Sequence, residues 1–95
     1  MTVRFHPAAR DEIRNAHAWY EERSPLAALG FAQDVDRAIQ QIAEAPTRHP
    51  EAAHDTRRVV LSRFPFTLFY RAIELDVVVI AVAHQKRRPG YWAGR

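Results

Sequence analysis

Residues 63–84 read RFPFTLFYRAIELDVVVIAVAH, and this stretch decides the fold. Phe64–Arg71 is dense in aromatics, with Phe66, Leu68 and Tyr70 on one face and Thr67 and Phe69 on the other. That alternation is the pattern of a strand with one well-buried side. Asp76–Ala83 (DVVVIAVA) is apolar without interruption after its first residue, as expected of a central strand covered on both faces. A turn at Glu74 joins the two. Just upstream, from Thr56, Arg57, Val59 and Leu61 alternate with Arg58 and Val60, and Ser62-Arg63 makes a short turn. Three consecutive strands follow from this.

Further toward the N-terminus, Pro46–Asp55 (PTRHPEAAHD) has two prolines and no apolar period, so it reads as a loop. Before it, Ala28, Phe31/Ala32, Val35, Ile39 and Ile42 recur at helical spacing, and Pro46 disfavours helical geometry at Ala45. Ser24-Pro25 both ends one helix and starts the next, with Ser24 as N-cap and Pro25 in the first turn. Gly30 costs some helix propensity but leaves room for close packing. Ala9, Ile13, Ala16 and Tyr20 mark a first helix over residues 7–23, with Pro7 in its first turn and Asp11 and Glu12 favouring its start. Thr2–His6 alternates about Val3 and Phe5 and reads as a half-buried strand. The expected architecture is α+β in the order β-α-α-β-β-β, a helix hairpin on a small, mainly antiparallel sheet with a short C-terminal tail. Ninety-five residues fit one domain, 1–95, whose core is modest.

Composition excludes several classes. With no cysteine there is neither a disulfide framework nor a thiolate metal site. The opening Met-Thr-Val-Arg-Phe-His-Pro lacks the basic region and apolar run of a signal peptide, and no apolar stretch approaches the ~20 residues of a membrane span. A cytoplasmic protein without membrane association is the expectation. No Gly-rich phosphate loop or nucleotide fingerprint occurs, so no cofactor is expected. His49, Glu51 and His54 are wrongly spaced for a helical zinc motif and lie among prolines, so no metal is expected either.

Charge is unevenly divided. Residues 1–56 carry six Arg against nine Asp/Glu, whereas residues 57–95 carry seven Arg and one Lys against only Glu74 and Asp76. The balances of −3 and +6 make up the net +3. A basic working surface on the second half, facing nucleic acid or an acidic protein, is the functional reading; solvated arginines are the alternative. His84, Gln85, Lys86, Arg87, Arg88, Tyr91 and Trp92 follow the central strand as a basic, aromatic cluster able to grip anions and stack. Tyr91 and Trp92 could equally fold back to cap the core. Arg57, Arg58 and Arg63 extend the same surface. Trp19 and Tyr20, adjacent on a helix, point about 100° apart and cannot both enter one core, so one sits at a rim. There it anchors a partner or covers the core edge.

The ordered set of features resembles the ParE/RelE toxin superfamily. Arg58–Leu61 with Phe64–Arg71, then Val78–His84 with Arg87, Pro89 and Trp92, carry the likeness. The helix ending in Tyr20, the Ser24-Pro25 break and the stop at Ala45-Pro46 support it. The resemblance implies a type II toxin silenced by a cognate, ParD-like antitoxin, with Trp19 and Tyr20 as antitoxin contacts. Two activities are implied, trapping of DNA gyrase and cleavage of messenger RNA on the ribosome. Thr67 and Gln85 stand where the ribonucleases commonly have arginine, which favours gyrase. The ribonuclease alternative would use His84, Arg87 and Tyr91, whereas a gyrase poison needs no catalytic group and would use Arg57, Arg58, Arg63, Arg87, Arg88, Tyr91 and Trp92 as contacts.

Overall fold

The computed structural model describes residues 2–95. Strand β1 (Thr2–Phe5) leads into helices α1 (Pro7–Arg23) and α2 (Pro25–Glu44), followed by β2 (Glu51–Ala52), β3 (Thr56–Val60), β4 (Phe66–Ile73) and β5 (Asp76–His84). The five strands lie in the order β1-β5-β4-β3-β2, with only the β1–β5 pair parallel. The helix hairpin covers one face.

Local chemistry explains the element boundaries. His6 precedes α1 and its Nδ1 accepts from the Ala8 N–H at 3.1 Å, so a histidine caps the helix that Pro7 opens. Ser24 serves both helices. Its N–H donates to the Tyr20 carbonyl at 2.7 Å, and its Oγ accepts from the Ala27 N–H at 3.1 Å. The hairpin therefore turns on one residue. Helix α2 buries Ala28, Phe31, Val35, Ala38 and Ile42, a stripe at three- and four-residue steps. Helix α1 buries only Ala9 fully, with Ile13, Ala16 and Tyr20 half-buried. Full burial of a side chain such as Phe31 stabilises by roughly 1.5–3 kcal/mol, so α2 contributes more to the core than α1.

Two details differ from the sequence reading, and a third gains its partner. The segment 46–55 is not all loop, because Glu51 and Ala52 pair with Arg57 and Thr56 as a short edge strand. Two residues carry no readable period, and their pairing exists only because β3 is there to receive them. The close packing that Gly30 allows is against the Phe64 ring, which a Cβ would meet at 3.4 Å. Glu12 does not serve the helix start; it lies past the first turn and reaches across to β5.

β5 carries the deciding irregularity. Phe69 is opposite Ala81 and Tyr70 opposite Val79, so Ile80 is an extra residue in β5. This bulge switches the alternation. Val77 and Val79 face the helices before it and Val82 after it, while Ile80 and Ala81 pack on the outer face beneath Trp92. The unbroken apolar run is thus covered on both faces, as read, but by the tail on the outer side.

Candidate functional site

β1 pairs with β5 only as far as Val79, whose carbonyl accepts from the His6 N–H at 2.9 Å. Beyond that point α1 runs past the end of β5 and leaves a groove of about 590 Å³. Ala16, Trp19, Tyr20 and Phe66 make its apolar wall, and Glu12, His84 and Arg87 supply its polar groups. Tyr20 is packed inside against Phe31, Phe64 and Phe66, with ring centroids 5.0–6.5 Å away. Burial pushes its phenol above the usual range. Trp19 is the rim residue, 53 % exposed, with the Arg23 guanidinium 3.7 Å above its ring. Leu26 and Leu29 at the start of α2 are exposed as well.

His84 ends β5. Its Nδ1 accepts from the Lys86 N–H at 3.1 Å and its ring stands edge-on to Phe66, 5.1 Å between centroids. The bond places the proton of the neutral ring on Nε2. From there the tail winds through turns, with Arg87, Tyr91, Ala93 and Arg95 donating backbone N–H bonds to His84, Arg88, Gly90 and Trp92. Gly90 has φ 74°, a left-handed conformation that glycine adopts without cost.

The tail aromatics are both occupied. Trp92, read equally as a contact or a cap, is only 3 % exposed; its indole lies 4.5 Å from the Phe69 ring and 5.6 Å from His54 and caps the outer core. The physical reason is that Ile80 and Ala81 need an apolar cover there. The Tyr91 hydroxyl donates to Glu12, and its ring is covered by the Arg87 guanidinium at 3.8 Å and by Arg95 at 5.2 Å. Burial first, then the hydrogen bond to Glu12 and the Glu12 charge, hold the Tyr91 phenol far above its ordinary range.

A second cleft, about 360 Å³, opens on the outer face of the sheet between Arg58, Thr67, Phe69, Gln85 and Arg88. Arg58, Lys86 and Arg88 are exposed, and none forms an ion pair among the described residues. The structure brings Arg58 and Arg88 together with Arg87 along this cleft, and Lys86 follows the end of β5. Arg57 stands apart, because its guanidinium donates to the His49 carbonyl at 2.8 Å and pairs with Glu51 at 3.5 Å. Arg63 sits at the β3–β4 turn, beside Gly30 of α2. His49 and His54 are used locally. His49 Nε2 bonds the Gln41 carbonyl at 3.1 Å, and His54 stacks edge-on with Trp92.

Three residues to which sequence reading gave no part in the site hold this region. Glu12, Arg71 and Arg95 join α1, β4 and the tail, with Arg71 Nη1 donating to the Arg95 carbonyl oxygen at 2.9 Å and its Nε and Nη2 to the His54 carbonyl oxygen. An isolated glutamate on a helix gives no signal of such a role.

The family model of the ParE toxin of type II toxin–antitoxin systems matches residues 3–89. The chain belongs to the ParE toxin family. Among solved structures, a chain of the chromosomal ParDE toxin–antitoxin system from P. aeruginosa shares the fold with a TM-score of 0.69. The two are 18 % identical, and the alignment covers 88 % of this chain and 95 % of the other. No curated protein matches the sequence. The ParE match takes in Glu12, Trp19, Arg58, His84 and Arg87, and it stops short of Tyr91, Trp92 and Arg95.

Proposed function

We propose that this ParE-family chain arrests growth by trapping DNA gyrase, with Arg87, Arg88 and Arg58 at the end of the sheet making the cationic contact. A cognate ParD-like antitoxin silences it by seating a helical or extended segment in the groove beside Trp19 and Tyr20. The cluster of cations around the end of β5, unpaired except where Arg87 rests on Tyr91, carries the reading. Charges left solvated in the free protein are available to a partner, where one contact is worth more than it contributes to folding. A gyrase target places the protein in the cytoplasm and requires no cofactor and no proton transfer.

The ribonuclease alternative is less well supported. It would need His84 or Tyr91 to exchange protons with RNA. His84 could do so only through Nε2, and the Tyr91 hydroxyl is engaged by Glu12. Thr67 and Gln85 also stand where the ribonucleases commonly have arginine. The discriminating experiment is in vitro. Purified protein should stabilise gyrase–DNA cleavage complexes, and Arg87→Ala/Arg88→Ala should lower the yield at least tenfold. Cleavage of ribosome-bound message without any gyrase effect would sink the proposal.

A further inference from the structure

Past Val79 the β1-facing edge of β5 has no strand beside it among the described residues, yet two of its backbone groups are bonded. The Ile80 carbonyl accepts from Arg95 Nη1 at 3.2 Å, and the Val82 N–H donates to Glu12 Oε1 at 3.0 Å. In a parallel pair a single residue of the neighbouring strand does both: its N–H donates to the residue before its partner, and its carbonyl accepts from the residue after. Arg95 and Glu12 perform these two halves around Ala81. They are joined to each other by an ion pair at 2.8 Å, with side chains 19 % and 14 % exposed. An edge that would otherwise bury unpaired groups, or invite another chain, is closed by two side chains.

Glu12 has further partners. Its carboxylate accepts from both Arg95 guanidinium nitrogens and from the Tyr91 hydroxyl. The Tyr91 ring in turn carries the Arg87 guanidinium at 3.8 Å, and Arg87 lines both the groove and the outer cleft. A chain of contacts therefore runs from α1 through Glu12 and Tyr91 to the cation at the groove mouth.

We propose that Glu12 is the positioning residue of the basic tail: with Arg95 it takes the place of a missing strand residue on β5, and through Tyr91 it holds Arg87 where an acidic group of a partner meets it. The functional half rests on the toxin reading above; the structural half does not.

The test uses the full chain with Glu12→Gln, Tyr91→Phe and Arg87→Ala/Arg88→Ala. Glutamine can still accept from the Val82 N–H but cannot pair with the Arg95 charge. In Glu12→Gln, trypsin cleavage after Lys86 and Arg87 should speed up at least tenfold. The Tyr91 phenol, followed by NMR of ring-labelled tyrosine, should titrate at lower pH, while Tyr20 and Tyr70 stay unmoved. General loosening would instead shift all three. Growth inhibition should fall at least tenfold in both Glu12→Gln and Tyr91→Phe, and the double variant should be no worse than the weaker single one. Tyr91→Phe leaves the Glu12–Arg95 pair intact and so keeps the test alive should Glu12→Gln not fold. Unchanged tail cleavage and unchanged Tyr91 titration in Glu12→Gln would overturn the proposal, as would full toxicity in Glu12→Gln and Tyr91→Phe when Arg87→Ala/Arg88→Ala has lost it. If the arginine double variant is itself fully toxic, Arg87 and Arg88 take no part in the contact with gyrase, and the positioning claim for Arg87 fails with them.

Discussion

Asp34 faces inward from α2 at 2 % exposure, and two of its bonds tie the β3–β4 turn to the helix. Its carboxylate accepts from Ser62 Oγ at 2.9 Å and the Arg63 N–H at 3.0 Å, and it pairs with Arg37 at 3.3 Å. Burial alone pushes the carboxyl up; the Arg63 N–H, the Ser62 hydroxyl and the charges of Arg37 and Arg63 together outweigh it and hold it below the ordinary value. A depressed pKa stabilises the fold above the unfolded value, ~3.9, and that contribution drains away as pH falls through the folded value. Asp34→Asn should therefore be less stable at neutral pH, and its stability should fall less steeply than wild type below about pH 4. Parallel acid limbs in urea unfolding would show that Asp34 is not the linked group. Asp34→Ala, which orphans the Ser62 hydroxyl and the Arg63 N–H, should cost about 3 kcal/mol. At Gly90, φ 74° makes Gly90→Ala strained by roughly 1–2 kcal/mol, and the strain should appear as faster hydrogen exchange in the tail rather than in β4.

The tail behaves as part of the core and as a carrier of charge, and the two roles respond to different variants. Deleting 87–95 removes the Trp92 cap from Ile80 and Ala81 along with the arginines, so loss of toxicity on deletion reports on both. Trp92→Ala alone should destabilise by about 3–5 kcal/mol. Arg87→Ala/Arg88→Ala changes two exposed side chains and should stay within about 0.5 kcal/mol per site while weakening growth inhibition. A double variant with an unchanged melting curve and full toxicity would move the contact to Arg58 and Arg63. On the helix hairpin, Trp19→Ala should weaken antitoxin binding at least tenfold without harming the fold, since the ring is already half in solvent. Unaltered affinity in a titration would make Trp19 a support for Tyr20, 5.1 Å away, and nothing more.

At the level of the whole molecule, charge is divided between the acidic first half and the basic end of the sheet, so association with an acidic partner should weaken with salt. Screening acts over ~8–10 Å at physiological ionic strength, and exposed Arg58, Lys86 and Arg88 are the groups it reaches. Expressed alone the protein should inhibit growth, and supplying the neighbouring antitoxin should restore it. Healthy growth at verified high expression without a partner would speak against an active toxin.

The sequence by itself determined the helix hairpin, the three-strand meander, the basic end and the family likeness. Each is written in short-range form: apolar residues at steps of two or of three and four, Ser24-Pro25 and Pro46 as stops, and arginines concentrated after residue 56. Tertiary structure alone decided the parallel docking of β1 on β5, the two-residue β2, the bulge at Ile80 and the fate of the tail aromatics. Tyr91 and Trp92 read equally well as contacts or caps, because exposure depends on whether Ile80 and Ala81 need covering, and that follows from a bulge set by pairing with β4. Glu12 lies 70 residues from Val82 and 83 from Arg95 along the chain. No local pattern encodes a carboxylate that completes a distant strand edge; only packing α1 beside the unpaired end of β5 gives it that task.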